Sequence, residues 1–186
     1  MAKIYVVEGG KIKLTPTPDW SWHNWDGIIK LKSNKKICKI KGKYVITEND
    51  VPDFPYKSKK YKAKGFSDIP GMISSLTFTL SLNAANLTRQ KTPDGKILTS
   101  KTKGNFIVKM ATPPAMNHKA KNIPPIPDVI FPKTGTWKVV DTGQSIQKQD
   151  TIKLSELEET DQLSIEYLFD DDSPVDNFEY QIYIKE

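Results

Sequence analysis

Met72–Leu82 reads M-I-S-S-L-T-F-T-L-S-L. Leu76, Phe78, Leu80 and Leu82 fall on one side of an extended chain, and Thr77, Thr79 and Ser81 fall on the other. Alternation from Leu76 to Leu82 is the period of a half-buried β-strand, whose successive side chains point to opposite faces. The same period recurs on either side of it. Ala2–Val7 is apolar and β-branched, and Ile28–Leu31 is a further short apolar run. In Ile37–Ile46, Cys38 and Ile40 alternate with Ile37, Lys39 and Lys41. Asn105–Met110 and Thr136–Val140 read as strands too. Leu163–Phe169 and Phe178–Ile184 alternate around the Asp-rich turn 170–177, which predicts a terminal antiparallel hairpin.

Thirteen prolines and ten glycines leave few windows long enough for a helix. Single helical turns are expected only at Ser155–Asp161, where Ser155 and Glu158 have capping spacing, and at Ala84–Gln90. Val51–Phe66 is expected to be irregular, and Pro113–Pro132 to run extended along the surface. No internal repeat stands out; I-K-G-K at 40–43 and T-K-G-N at 102–105 suggest similar glycine turns. The fold class is therefore mainly β, with short antiparallel strands and hairpins forming a small-barrel domain and an acidic hairpin at the C-terminus.

Length and charge bound the answer further. The chain has 186 residues, enough for one domain or one domain with an appendage. Its net charge of +6 hides a split. Residues 155–186 carry eleven acids against the one base Lys185, a net charge of −10, while residues 1–154 carry +16. The division predicts a basic β-rich domain over 1–154 and an acidic extension over 155–186. The acidic part either folds back on the basic body or leaves that body to meet an acidic partner. Arg89 is the lone arginine, which argues against base-specific nucleic-acid reading. No run approaches the ~20 apolar residues of a membrane-spanning helix. The N-terminal residues lack the apolar core of a Sec signal peptide, so a cytoplasmic protein is expected. A single cysteine, Cys38, rules out an intrachain disulfide.

Signals for catalysis are missing: no G-x-S-x-G elbow, phosphate-binding loop, dinucleotide fingerprint or H-E-x-x-H is present. The acids at Asp50 and Asp53, and at Asp170–Asp172, sit in turn contexts that favour Asp for local hydrogen bonding. A calcium site at Asp170, Asp172 and Asp176 would lack the Gly and terminal Glu of an EF-hand loop. His23, Cys38 and His118 are the candidate ligands for a structural zinc ion, but three ligands fall short of the usual four. Alternatively, Cys38 is a buried strand residue and the histidines are polar loop residues. Asp19–Asp26 (D-W-S-W-H-N-W-D) packs Trp20, Trp22 and Trp25 into eight residues. They either close one end of the β core or stack on a ligand such as a sugar ring.

Tyr5-Val6-Val7-Glu8-Gly9-Gly10-Lys11-Ile12-Lys13-Leu14 resembles the opening of PAAR-like proteins, which cap the spike of contractile injection machines such as type VI secretion systems. Ile40–Pro52 (I-K-G-K-Y-V-I-T-E-N-D-V-P) resembles a later strand and turn of that family. Ile123–Phe131, Gly135-Thr136-Trp137 and Gly143-Gln144-Ser145-Ile146 occupy places comparable to its Pro-rich and Gly-containing elements. The chain departs from the pattern where Leu14 replaces a frequent Cys and where Tyr61–Met110 is longer than a minimal tip. The acidic residues 155–186 lie outside the resemblance.

The resemblance implies a cone-like, non-enzymatic structural tip, one per trimeric spike protein, exported by the apparatus and able to carry an effector or adaptor. It implies Tyr5, Val7, Leu76, Phe78 and Leu80 as partner-facing side chains, and His23, Cys38 and His118 as the residue types for a metal near the apex. Two other functions compete. A β-sandwich carbohydrate- or protein-binding module would use Trp20, Trp22 and Trp25, and an electrostatic nucleic-acid binder would use the lysines of 1–154.

Overall fold

A computed structural model describes residues 4–52, 59–80, 87–144 and 165–166. Among them the chain is all-β, with no helix. The strands are β1 (Lys11–Pro16), β2 (Trp20–His23), β3 (Ile28–Lys30), β4 (Lys39–Ile40), β5 (Lys43–Tyr44), β6 (Lys60–Ala63), β7 (Phe66–Leu80), β8 (Leu87–Thr92), β9 (Gly95–Leu98), β10 (Lys103–Ala111), β11 (Lys133–Asp141) and β12 (Ile165–Glu166). Seven of them form one antiparallel sheet in the order β2-β6-β7-β10-β11-β1-β3, curled into a half-barrel. Two small sheets, β12-β4-β5 and β8-β9, complete the fold.

The curl puts one face of the large sheet inside. Ile12 and Leu14 of β1, Phe106 and Val108 of β10, and Trp137 and Val139 of β11 are all buried, while their neighbours alternate outward. The stretch around Met72 is the middle of the longest strand, β7. Its partner β10 lies in register, with Phe78 opposite Phe106 and Leu76 opposite Val108. A bulge near Ser74 switches the inward parity, so Ile73 is buried before it and Leu76, Phe78 and Leu80 pack against the core after it.

Three aromatic rings of this sheet stand directly opposite glycines. Tyr61 pairs with Gly71, Trp137 with Gly104 and Phe106 with Gly135. At each glycine the space a Cβ would need is taken by that ring. The aromatic ring covers backbone that the glycine leaves bare and fixes the strand register.

Two expectations are corrected. The described part of Ala84–Gln90 is strand β8 paired to β9, not a helical turn. Cross-strand pairing outweighs the weak local preference of L-T-R-Q-K-T. The segment 51–66 contains β6, which pairs with both β2 and β7; only its flanks carry the turn residues that suggested irregular structure. Pro113–Pro132 contains no strand among the residues described and is mostly exposed. The C-terminal hairpin and the turn at Ser155–Asp161 lie outside the described residues, except for β12.

Candidate functional site

Three short segments, far apart in sequence, meet where the half-barrel passes into the small sheets. They are I-Y-V-V-E-G-G at 4–10, Y-V-I-T-E-N-D at 44–50 and K-I-L-T-S-K-T at 96–102. Their central residues close a ring of backbone hydrogen bonds. Val6 N–H donates to the Leu98 carbonyl, Leu98 N–H to Ile46, and Ile46 N–H back to Val6, each at 2.9 Å. A second ring runs outside the first. Glu8 N–H donates to the Tyr44 carbonyl at 2.8 Å, Glu48 N–H to Lys96 at 2.9 Å and Ser100 N–H to Ile4 at 2.7 Å. The bridges Tyr5–Thr99, Val7–Val45 and Thr47–Ile97 follow the same cycle.

Each segment then turns in the same way. Gly10 N–H reaches the Val7 carbonyl at 2.9 Å, Asp50 N–H reaches Thr47 at 3.0 Å, and Thr102 N–H reaches Thr99 at 3.0 Å. The turn side chains repeat their work as well. A carboxylate oxygen of Asp50 accepts from Thr47 N–H at 2.7 Å, and the Thr102 hydroxyl accepts from Thr99 N–H at 2.8 Å. In the first segment Gly10 has no such group, and Val7 N–H donates to the Thr142 carbonyl at 2.9 Å instead. A Cβ at Gly10 would press on Val6 and on the Asp141 and Val7 carbonyls. One side-chain position of the repeat (Val6, Ile46, Leu98) enters the large core, and the preceding one (Tyr5, Val45, Ile97) enters a second cluster with Val7, Cys38 and Ile40. The junction is a pseudo-three-fold unit made by one chain.

This unit was not visible as a sequence repeat. Residue identities differ at almost every matched position, and only an apolar pair followed by a polar turn of fixed length is shared. Aligning Y-V-V-E-G-G with V-I-T-E-N-D and I-L-T-S-K-T is the signal that could have found it.

Beside the junction lies a cleft of about 820 Å³ lined by Lys30, Lys32, Lys36 and Lys43 with Glu8 and Asp50. Both acids are already engaged. Glu8 accepts from Ser33 N–H at 3.1 Å, and Asp50 accepts from Asn34 N–H at 2.9 Å as well as from Thr47.

The tryptophan-rich segment closes the open side of the half-barrel. Trp20 is buried, and its indole N–H donates to the Thr134 carbonyl at 2.8 Å. The Trp22 indole donates to the Leu14 carbonyl at 3.0 Å. Trp22 stacks on Phe106 and meets Trp20 and Trp25 edge-on, with centroids 4.7 Å apart in each case. The Lys59 ammonium sits 4.6 Å from the centre of the Trp25 ring. Trp20 therefore has no free face for a sugar, and Trp22 and Trp25 are half-buried against the core.

His23 lies on β2, Cys38 is buried in the second cluster, and His118 sits half-buried in the loop after β10 with its backbone N–H donated to the Asp68 carboxylate. Among the described residues no three His, Cys, Asp or Glu side chains gather in a group that could hold a metal ion, so the structure does not bring these three together. Asp170, Asp172 and Asp176 lie outside the described residues. Burial raises the Cys38 pKa, leaving a thiol that packs as an apolar group. Tyr5 and Val7 are fully buried, so neither offers its side chain to a partner, and Leu76, Phe78 and Leu80 pack against the core. Among the described residues no helix is long and apolar enough to cross a membrane. No protein-family model matches the chain, and no curated protein matches it.

Proposed function

We propose that the chain is a non-enzymatic structural tip that caps the trimeric spike of a contractile injection apparatus, one copy per trimer. The pseudo-three-fold junction carries this reading. A trimer ends in three identical surfaces about one axis. The segments 4–10, 44–50 and 96–102 repeat one hydrogen-bonding pattern three times in a cycle, and such an internal repeat supports a single chain that seats on three like surfaces. The two rings tie the three segments to one another, which suits a part that is pushed rather than one that must open. The ionisable groups buried there serve the fold: Asp50 accepts backbone N–H groups, and Cys38 packs in an apolar cluster. Carriage of an effector or adaptor belongs to the same proposal.

The test is stoichiometry. Purified chain mixed with its cognate trimeric spike protein is expected to give a complex of one chain to three spike protomers by light scattering and native mass spectrometry. Absence of a complex at micromolar concentration, or a three-to-three complex, overturns the reading.

A further inference from the structure

We infer that the lysine-lined cleft is the seat of an acidic peptide, and that its occupant is the acidic C-terminal segment of the same chain, residues 155–186. The inference stands apart from the spike reading. Three observations meet at this place. The first is the charge of the cleft. Lys30, Lys32, Lys36 and Lys43 line it, and its two acids are turned to backbone N–H groups. The ion pairs formed among the described residues, Lys11 with Asp141 and Lys133 with Asp128, use none of these four lysines, and the Lys43 ammonium donates to the neutral Gly143 carbonyl at 2.9 Å. Four cations around one concavity raise the local potential and favour an anionic chain over a neutral one.

The second is the reach of the C-terminal segment. Ile165–Glu166 adds to the edge of β4 as an antiparallel strand, with Ile165 opposite Ile40 and Glu166 opposite Lys39. β4 in turn pairs with β5, where Ile40 stands opposite the cleft residue Lys43. Strand addition brings this part of the chain to the small sheet that carries one wall of the cleft. The third is composition. Residues 155–186 hold eleven of the twenty-two acids of the protein and one base. Main-chain pairing of Ile165–Glu166 at β4 and charge across the cleft are two contributions that respond differently to salt.

The experiment uses the full chain. In the double variant Lys39→Cys, Glu166→Cys, mild oxidation at low salt is expected to form a 39–166 disulfide, read by peptide mapping. Adding Lys30→Glu, Lys32→Glu and Lys36→Glu is expected to slow 39–166 cross-linking about tenfold, since several weak pairs turn from attraction to repulsion together. Molar salt, which shortens the screening length to about 3 Å, is expected to slow it in the unreversed protein without any further substitution. No cross-link at low salt, or a rate indifferent to both charge reversal and salt, overturns the inference. Poly-glutamate that binds the full chain through these lysines while leaving the cross-linking rate unchanged also overturns it, because the cleft would then serve a different acidic chain.

Discussion

Asp50 is 1% exposed, yet its carboxylate accepts hydrogen bonds from Thr47 N–H, Asn34 N–H and the Thr47 hydroxyl. Each oxygen has its own donors, so an amide cannot replace it: the NH₂ of Asn would face one of those N–H groups. Asp50→Asn is expected to cost about 1–3 kcal/mol, the usual cost of leaving a buried polar group unmatched, measured by urea denaturation. Burial is the largest influence on this carboxyl and raises its pKa above the ordinary 3.8, with the hydrogen bonds from Thr47 and Asn34 pulling the other way. A raised pKa in the folded chain makes Asp50 contribute stability that is fully present below 3.8 and is lost as pH rises through the folded value. The wild-type protein should therefore lose stability, relative to Asp50→Asn, across the window just above 3.8; parallel stability curves would contradict this. Cys38 gives a second check. Its burial and raised pKa predict that the native thiol reacts with a maleimide far more slowly than the thiol of the urea-unfolded chain. Of these details the sequence carried only residue types. The turn acid was readable as a local hydrogen-bonding residue, but the Asn34 N–H that meets it comes from another part of the chain.

The paired glycines show where strand identity was readable and where it was not. Gly104 and Gly135 lie on β10 and β11 because Trp137 and Phe106 cross them. A Cβ at Gly104 would collide with the Thr79 carbonyl and the Trp137 indole. Gly104→Ala is expected to destabilise by about 1–3 kcal/mol through overpacking, seen as a lower thermal midpoint. Gly65→Ala is the spatial contrast: nothing lies within 4 Å of the Cβ site, and its cost comes from the backbone φ of +82° alone. Strands with a clean inward face, such as the Leu76–Leu80 half of β7, were legible by alternation. The Ile73 half was not, because the bulge near Ser74 reverses parity within the same run. β6 and β8 hid for another reason. Their sequences, K-Y-K-A and L-T-R-Q-K-T, carry little apolar pattern of their own and owe their form to the strands beside them.

At the scale of the molecule, the three interlocked segments predict a shared fate for three amides. Opening any one of the Val6, Ile46 and Leu98 hydrogen bonds breaks the cycle that holds the other two. Native-state hydrogen exchange should place all three in the slowest class with closely similar protection, and an early loss of protection at one alone would refute the cycle. The all-β class followed from alternation, proline and glycine. The three-fold junction did not, because it is written in main-chain geometry shared by unlike side chains. The same wiring constrains when the protein can be made. Ile12 sits opposite Val139 in the sheet, and the ring cannot close before Leu98 exists. β1 can pair with β3 as soon as Lys30 is made, but at translation rates of about 5–20 residues per second it waits on the order of ten seconds for β11. During that wait one edge of β1 has no native partner. Slowing elongation is therefore expected to lower the soluble yield rather than raise it, and an unchanged yield would contradict this.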